Sequence, residues 1–326
     1  MKGSCNRRRQ GSPDCTLRAG VSISDIRGVN MNGLIGLLCL IWGFNWVFMK
    51  LANGVFPPVL FAGYRFALGA LVLLAVCYFR KVPLPRWKDL KWYIICGILQ
   101  TMYFNLAIQI SLEDLSAGLT SVLTYSMPLW LTLMAHFWLP GEKLRLRKVA
   151  GIMIGIVGLF IAMDAHWGGS TGALLLAVSS GLSWALSNLL IKRKLSQCDM
   201  LQFTTWQMVA GAAGLLLYSA IFEHGTSHWG VMPAVYVVFS GVVGSALAFV
   251  MWSYILSKVE ASKASISLLL VPVVGVVCGC LFLKESLNPV VAVGIVLVLL
   301  GIWLVNGGGK PKAEVSADGL NLGSKK

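Results

Sequence analysis

Long apolar runs separated by short polar connections organise the chain. Ten runs stand out: Leu34 to Leu51, Pro58 to Phe79, Trp92 to Ile110, Ala117 to Leu139, Val149 to Met163, Gly172 to Ile191, Leu201 to Phe222, Met232 to Ile255, Ser262 to Leu283 and Pro289 to Val305. Each has roughly 15–25 residues, which as helix crosses about 30 Å of hydrocarbon. Polar and apolar positions do not alternate within the runs, so barrel strands do not fit and the chain reads as all-α. The turns agree. Pro57-Pro58 opens the second run, Pro83 and Pro85 precede the third, Pro140-Gly141 closes the fourth, and Asn288-Pro289 opens the tenth. Pro128 and Pro272 fall inside runs and are expected to kink their helices, freeing carbonyls that neighbours or a cavity must satisfy.

Composition sharpens this picture. Of 326 residues, 57% are hydrophobic and 12% charged, and the mean hydropathy is +0.76. A soluble domain carries about 25% charged residues. A soluble globular enzyme, a disordered protein and a nucleic-acid-binding domain are therefore excluded. The net charge of +14 reports topology instead. With the N-terminus inside, 24 of the 27 basic residues fall in the first 30 residues, in every second connection or in the tail. The other three are Lys50 and Lys284, at outer ends of runs, and Arg65, within one. The outer connections hold Glu113, Asp114, Asp164 and Glu223. This positive-inside pattern places both termini on the cytoplasmic side, as an even number of spans requires. None of the eight cysteines falls in an outer connection, so no disulfide framework is expected. The polar arm 1–30 lacks the apolar stretch of a cleaved signal peptide. Met31, directly before the first run, is an alternative start, and the Gly- and Lys-rich tail 307–326 is expected to be disordered.

The two halves resemble each other. At an offset of 142, the segment Trp42 to Lys50 lies over Trp184 to Lys192, and Phe61, Tyr64 and Gly69 lie over Phe203, Trp206 and Gly211. At 144, Gly97, Ala117, Ser121 and Pro128 match Gly241, Ala261, Ser265 and Pro272; at 143, Glu142, Gly151 and Gly158 match Glu285, Gly294 and Gly301. Five spans per half is an odd number, so the second half enters the membrane upside down. Such inverted repeats mark secondary transporters, with the substrate near the midplane between the halves. The chain thus divides into the arm 1–30, repeats at 31–165 and 170–306, and the tail 307–326. The expected fold is an all-α integral membrane protein with ten transmembrane helices in two inverted five-helix repeats.

Trp42-Gly-Phe-Asn45, Tyr64-Arg65-Phe66, the Pro128 to Glu142 and Pro272 to Glu285 spacings, and the glycine-rich spans after each Glu resemble the EamA family of the drug/metabolite transporter superfamily. The resemblance runs from about Met31 to Val305. It implies an inner-membrane transporter, usually an exporter of metabolites, amino acids or toxic compounds. It also implies a central cavity lined by spans one to four and six to nine, with spans five and ten peripheral.

Arg65 is the most informative candidate, because a charge inside a span is costly unless paired or wet. It is read either as an anchor for an anionic group or as a clamp on helix-end carbonyls. Its repeat mate is Gln207, so the charge is not symmetric. Trp42 with Asn45, and Trp184 with Asn188, share helix faces at three- and four-residue spacing; with Trp46 they suit an amphipathic solute, the alternative being lipid or interface packing. Tyr103, Asn105, Gln109, Tyr125, Ser126, Ser245 and Trp252 extend the polar set. Pro128 and Pro272 are candidate gating positions. Glu142 and Glu285 are expected to cap or pair locally, and Lys50 and Lys192 to reach the membrane interface. Gly151, Gly155, Gly158, Gly294 and Gly301 read as close-packing faces. His136 is the only histidine inside a run, and the central runs carry no Asp or Glu, so no proton-relay carboxylate is visible.

The functional expectation is a secondary transporter exporting small organic solutes by alternating access. The competing class is a membrane-embedded sensor or enzyme, but HExxH and Walker A motifs are missing from the sequence. No metal site or cofactor is expected. The expected partners are a small-molecule substrate and the lipid bilayer of the bacterial cytoplasmic membrane, with no nucleic acid and with a homodimer left open.

Overall fold

The computed structural model describes residues 31–138, 144–164, 171–195, 198–258, 268, 270–286 and 288–306. The arm, the tail, Pro140-Gly141 and Glu142 lie outside them. The described residues are helical, with no strand among them. In chain order the helices are α1 (Met31–Ala52), α2 (Pro58–Phe79), α3 (Trp87–Asp114), α4 (Ala117–Thr124), α5 (Met127–Trp138), α6 (Leu146–Asp164), α7 (Thr171–Lys194) and α8 (Met200–Phe222). Then come α9, continuous through Val231–Val238, Phe239–Leu247 and Ala248–Lys258, α10 (Leu270–Leu283) and α11 (Pro289–Asn306). Among the described residues, six helices are long and apolar enough to cross a membrane: α1, α2, α3, α7, α8 and α9. Large side chains such as Leu71, Phe79, Phe160, Leu175, Leu217 and Val296 are exposed on the outside of the bundle. Meanwhile Asn45, Arg65, Gln100, Asn105, Asn188 and Gln207 are buried within it. Apolar outside and polar inside is the arrangement that hydrocarbon demands of a chain carrying polar groups.

Local chemistry sets the helix ends. Pro58 opens α2 in the first turn, where its missing N–H costs nothing. The Glu223 carboxylate accepts from Val59 N and Leu60 N at 2.8 Å each, supplying the acceptors that Pro57 lacks. Ser116 and Asp199 cap α4 and α8 by accepting from Leu119 N and Gln202 N. The fourth run is not one kinked helix. It breaks at Tyr125-Ser126, and Pro128 falls in the first turn of α5, where a proline is accommodated. Pro272 likewise sits in the first turn of α10 as described. Both prolines therefore begin helices; neither bends one in mid-course.

Helix pairing is regular. α2 packs on α8, and α6 on α11; α1 packs on α10, and α5 on α7; α2 packs on the Phe239–Leu247 part of α9, and α8 on the Gly97–Tyr103 part of α3. Glycines set the close approaches. A Cβ built on Gly301 would lie 2.6 Å from the Gly151 carbonyl oxygen, and one on Gly158 would lie 2.8 Å from that of Gly294. A Cβ on Gly97 would meet the Gln207 carbonyl at 2.5 Å, and one on Gly241 the Arg65 carbonyl at 2.8 Å. Only glycine lets these backbones touch.

Two segments, Gly97–Tyr103 in α3 and Phe239–Leu247 in α9, are π-helical. A π-turn widens the helix and disturbs the carbonyl ladder, and such turns are frequent at functional sites. Side chains repair the ladder here. Asn105 Nδ2 donates to Thr101 O at 2.8 Å and to Gln100 O at 3.3 Å, and Ser245 Oγ donates to Ser240 O at 2.8 Å.

Candidate substrate site within the bundle

A partly open cavity lies between α1, α2, α3, α7 and α9. Trp42, Asn45, Trp46 and Met49 reach it from α1, and Arg65 from α2. Gln100, Phe104, Asn105 and Ile108 come from α3, Tyr125 from the break after α4, Trp184 from α7, and Gly244 and Phe249 from α9. Seven of the sequence candidates thus meet: Trp42, Asn45, Trp46, Arg65, Asn105, Tyr125 and Trp184. Three do not. Tyr103 is 38% exposed and its hydroxyl pairs with Ser179 at 2.9 Å. Asn188 is buried beside Met127 Sδ, and Trp252 is buried behind the wall.

The lining has one cation and no carboxylate. Arg65 is buried; its Nη2 donates to Asn105 Oδ1 and its Nε has no partner. The same Asn105 amide donates to the π-turn carbonyls, so one residue both repairs the backbone and orients the guanidinium. No hydrogen bond from the guanidinium to a helix-end carbonyl is seen among the described residues, so the clamp reading of Arg65 gains no support. Asn45 Nδ2 rests on Met49 Sδ at 3.2 Å, leaving its Oδ1 unpartnered.

The walls are aromatic. The Trp42 and Trp184 rings meet edge-to-face, 5.9 Å between centroids at 84°. Trp252 and Phe249 pack on Trp42, and Tyr125 and Phe104 on Trp184. Trp42 Nε1 donates to Gly244 O at 3.1 Å, which fixes its ring, whereas Trp184 Nε1 is unpartnered. Three polar atoms of the lining residues, Arg65 Nε, Trp184 Nε1 and Asn45 Oδ1, are buried without a partner beside flat apolar faces. A few polar groups in a mostly apolar pocket is the usual make-up of a small-molecule site.

Other candidates have structural work. Lys50 Nζ donates to Leu112 O and to Leu115 O at 2.9 Å, tying α1 to the α3–α4 corner. Lys192 Nζ donates to Leu256 O at 3.1 Å. Both lysines thus satisfy backbone carbonyls at helix ends. Glu285 does not cap its own neighbourhood. Its carboxylate accepts from Ala117 N at 2.7 Å and Gly118 N at 3.2 Å, the start of α4, while Asn288 caps α11. Lys284, at φ 55°, and the bond from Glu285 N to Gly279 O turn the chain so that the carboxylate points there. Gln109 Nε2 binds Met49 O and Asn53 Oδ1. His136 is exposed at the end of α5, where its Nδ1 accepts from Leu144 N at 3.3 Å. Among the described residues no cluster of His, Cys, Asp or Glu could hold a metal ion.

Sequence reasoning missed Met49, Gln100, Phe104, Ile108, Gly244 and Phe249 in the lining. Gln100 and Gly244 occupy matched repeat positions inside the two π-helical segments, and that pairing was the available signal.

The model of the EamA-like transporter family matches residues 31–163 and 171–307. The chain is 32% identical over 281 residues to the uncharacterized transporter YoaV of Bacillus subtilis (strain 168), covering 84% of this chain and 95% of that protein. It is 26% identical to the "Probable amino-acid metabolite efflux pump" of Salmonella typhimurium, covering 84% and 94%. Over 223 residues it is 26% identical to the "Probable terminal-alkyne amino-acid exporter" of Streptantibioticus cattleyicolor, covering 68% and 75%. A solved crystal structure shares the fold with a TM-score of 0.64 at 22% identity, covering 84% of this chain and 96% of that one. With two tandem family matches and the membrane-spanning helices, this chain is a multi-pass membrane protein that belongs to the EamA-like transporter family.

Proposed function

We propose that the protein is a secondary exporter of small organic carboxylates, amino-acid-like solutes among them, working by alternating access. The observation that carries this reading is Arg65: a buried cation with a spare donor, in an aromatic cavity that holds no acid. A buried charge is costly unless something compensates it, and a substrate carboxylate would do so while its apolar body lies against Trp42, Trp184 and Phe249. An ammonium group would find Asn45 Oδ1 and the ring faces. Relatives named as amino-acid exporters support the same class.

In this reading the chain has ten spans in two inverted repeats, with both ends inside a bacterial cytoplasmic membrane. The pairing supports the repeat. Exchange each span for its mate, and α1 on α10 becomes α7 on α5, α2 on α9 becomes α8 on α3, and α2 on α8 and α6 on α11 return to themselves. Lys50 reaching Leu112 O and Lys192 reaching Leu256 O are mates in the same way.

The test is uptake into proteoliposomes of labelled aromatic and aliphatic amino acids, the acids lacking the amine, and the amines lacking the carboxylate. Carboxylate-bearing solutes should be carried, and uptake should fall with Arg65→Ala. Transport of the amines alone, unchanged by Arg65→Ala, would overturn the substrate class; no saturable uptake of any member would count against the transporter reading.

A further inference from the structure

Among the buried polar atoms without partners, one group follows the repeat. Asn188 Oδ1, both polar atoms of the Gln207 amide, and Trp252 Nε1 all lack a hydrogen bond, and these residues are 1%, 0% and 2% exposed. None of the three lines the cavity. Yet each is the repeat mate of a residue that does: Asn188 of Trp46, Gln207 of Arg65, and Trp252 of Ile108. Trp42 and Trp184 are mates of each other, and both already face the cavity.

Sealing an amide or indole away from every partner costs free energy. A fold tolerates that cost when another state repays it. In an inverted repeat the other state is obtained by giving each half the conformation of its mate. That exchange moves Asn188, Gln207 and Trp252 into the places that Trp46, Arg65 and Ile108 hold here.

We propose that Asn188, Gln207 and Trp252 form a second, latent substrate-binding surface, opened to the other side of the membrane when the present cavity closes; this rests on the alternating-access reading above. The Trp42–Trp184 pair stays at the centre and serves both states. The new surface takes the same solute, but through neutral amide and indole contacts. Because Gln207 replaces Arg65, the carboxylate loses its ionic partner on crossing, so the solute is held more weakly in the second state and is released there. The two spare polar atoms of Gln207 match one carboxylate oxygen and one solvating water or ammonium group.

The experiment uses full-length protein with its native cysteines replaced, in right-side-out and inside-out vesicles, with a membrane-impermeant thiol reagent. Asn45→Cys should label from one side only. Gln207→Cys and Asn188→Cys should label from the opposite side only, and saturating amino-acid substrate should reduce both signals. Two positions report independently, so one misfolded variant does not remove the test. Labelling of Gln207→Cys and Asn188→Cys from the same side as Asn45→Cys overturns the proposal. So does loss of all labelling at both while Asn45→Cys reacts and transport persists. Absence of transport by the unsubstituted protein would instead strike at the transporter reading itself.

Discussion

Arg65 donates to Asn105 Oδ1 while the Asn105 amide donates to the carbonyls of Gln100 and Thr101. One side chain thereby links the buried cation of α2 to the π-turn of α3. The π-turn and the site are one construction: the widened turn exposes carbonyls, Asn105 answers them, and its remaining oxygen aims the guanidinium.

Replacing Arg65 separates charge from geometry. Hydrogen bonds to charged groups contribute about 1.5–3 kcal/mol, so Arg65→Ala should raise the KM for a carboxylate substrate from about tenfold to more than a hundredfold. Arg65→Lys should recover part of this, since it keeps the charge and loses the planar fork. Initial-rate uptake in proteoliposomes reads both.

Asn105→Asp keeps a side chain of the same size but sets a carboxylate against Arg65. It should weaken binding of an anionic solute more than that of a solute whose carboxylate is esterified. Asn105→Ala should lower thermal stability in detergent by about 1–3 kcal/mol, because buried π-turn carbonyls lose their donor. Equal loss for acid and ester in Asn105→Asp would contradict the role of Arg65 as anion anchor.

The α6–α11 contact is set by backbone approach. Gly301→Leu places a branched chain where a Cβ alone would lie 2.5 Å from Gly155 N. Overpacking of this kind costs about 1–3 kcal/mol or more. The expected result is reduced folded protein without altered substrate preference in what remains. Gly36→Leu, where a Cβ meets nothing within 4 Å, is the control.

Glu285 holds the start of α4 from another part of the chain. Glu285→Ala should cost about 0.5–2 kcal/mol, the ordinary value of a helix cap. Because α4 leads directly to Tyr125 at the cavity, reactivity of a cysteine at Tyr125 should rise in the same variant. Glu285→Gln, which keeps an acceptor, should fall between the two.

His136 lies exposed at the end of α5, and the cavity holds no acid. Transport is therefore expected to run down the substrate's own gradient. In proteoliposomes with an imposed pH gradient, flux should be unchanged by a protonophore and by His136→Ala. Uphill accumulation abolished by both would reverse this expectation.

Much of the membrane part was legible in the sequence because it depends on local pattern. Long apolar runs read as spanning segments, and six of the described helices are long and apolar enough to cross a membrane; Trp42, Asn45 and Trp46 share a face because helical spacing requires it. Arg65 stood out because a charge in an apolar run needs a reason. Glycine pairs 143 residues apart announced close packing before any helix was placed.

What tertiary structure alone decided are relationships between residues far apart along the chain. Glu285 reaches α4 across 168 residues, Trp42 reaches Gly244 across 202, and Lys50 finds its carbonyls 62 and 65 residues away. A run of apolar residues reads the same whether it is one kinked helix or two, so the break at Tyr125-Ser126 was invisible. So were the π-turns, whose signature is a backbone ladder and not a residue period. Hydrophobic patterning sets which residues leave water, but it carries no information about which buried neighbour each one meets. That choice is made by packing, which places Gln100, Phe104 and Phe249 around Arg65 and leaves Gln207, its mate in the repeat, without a partner.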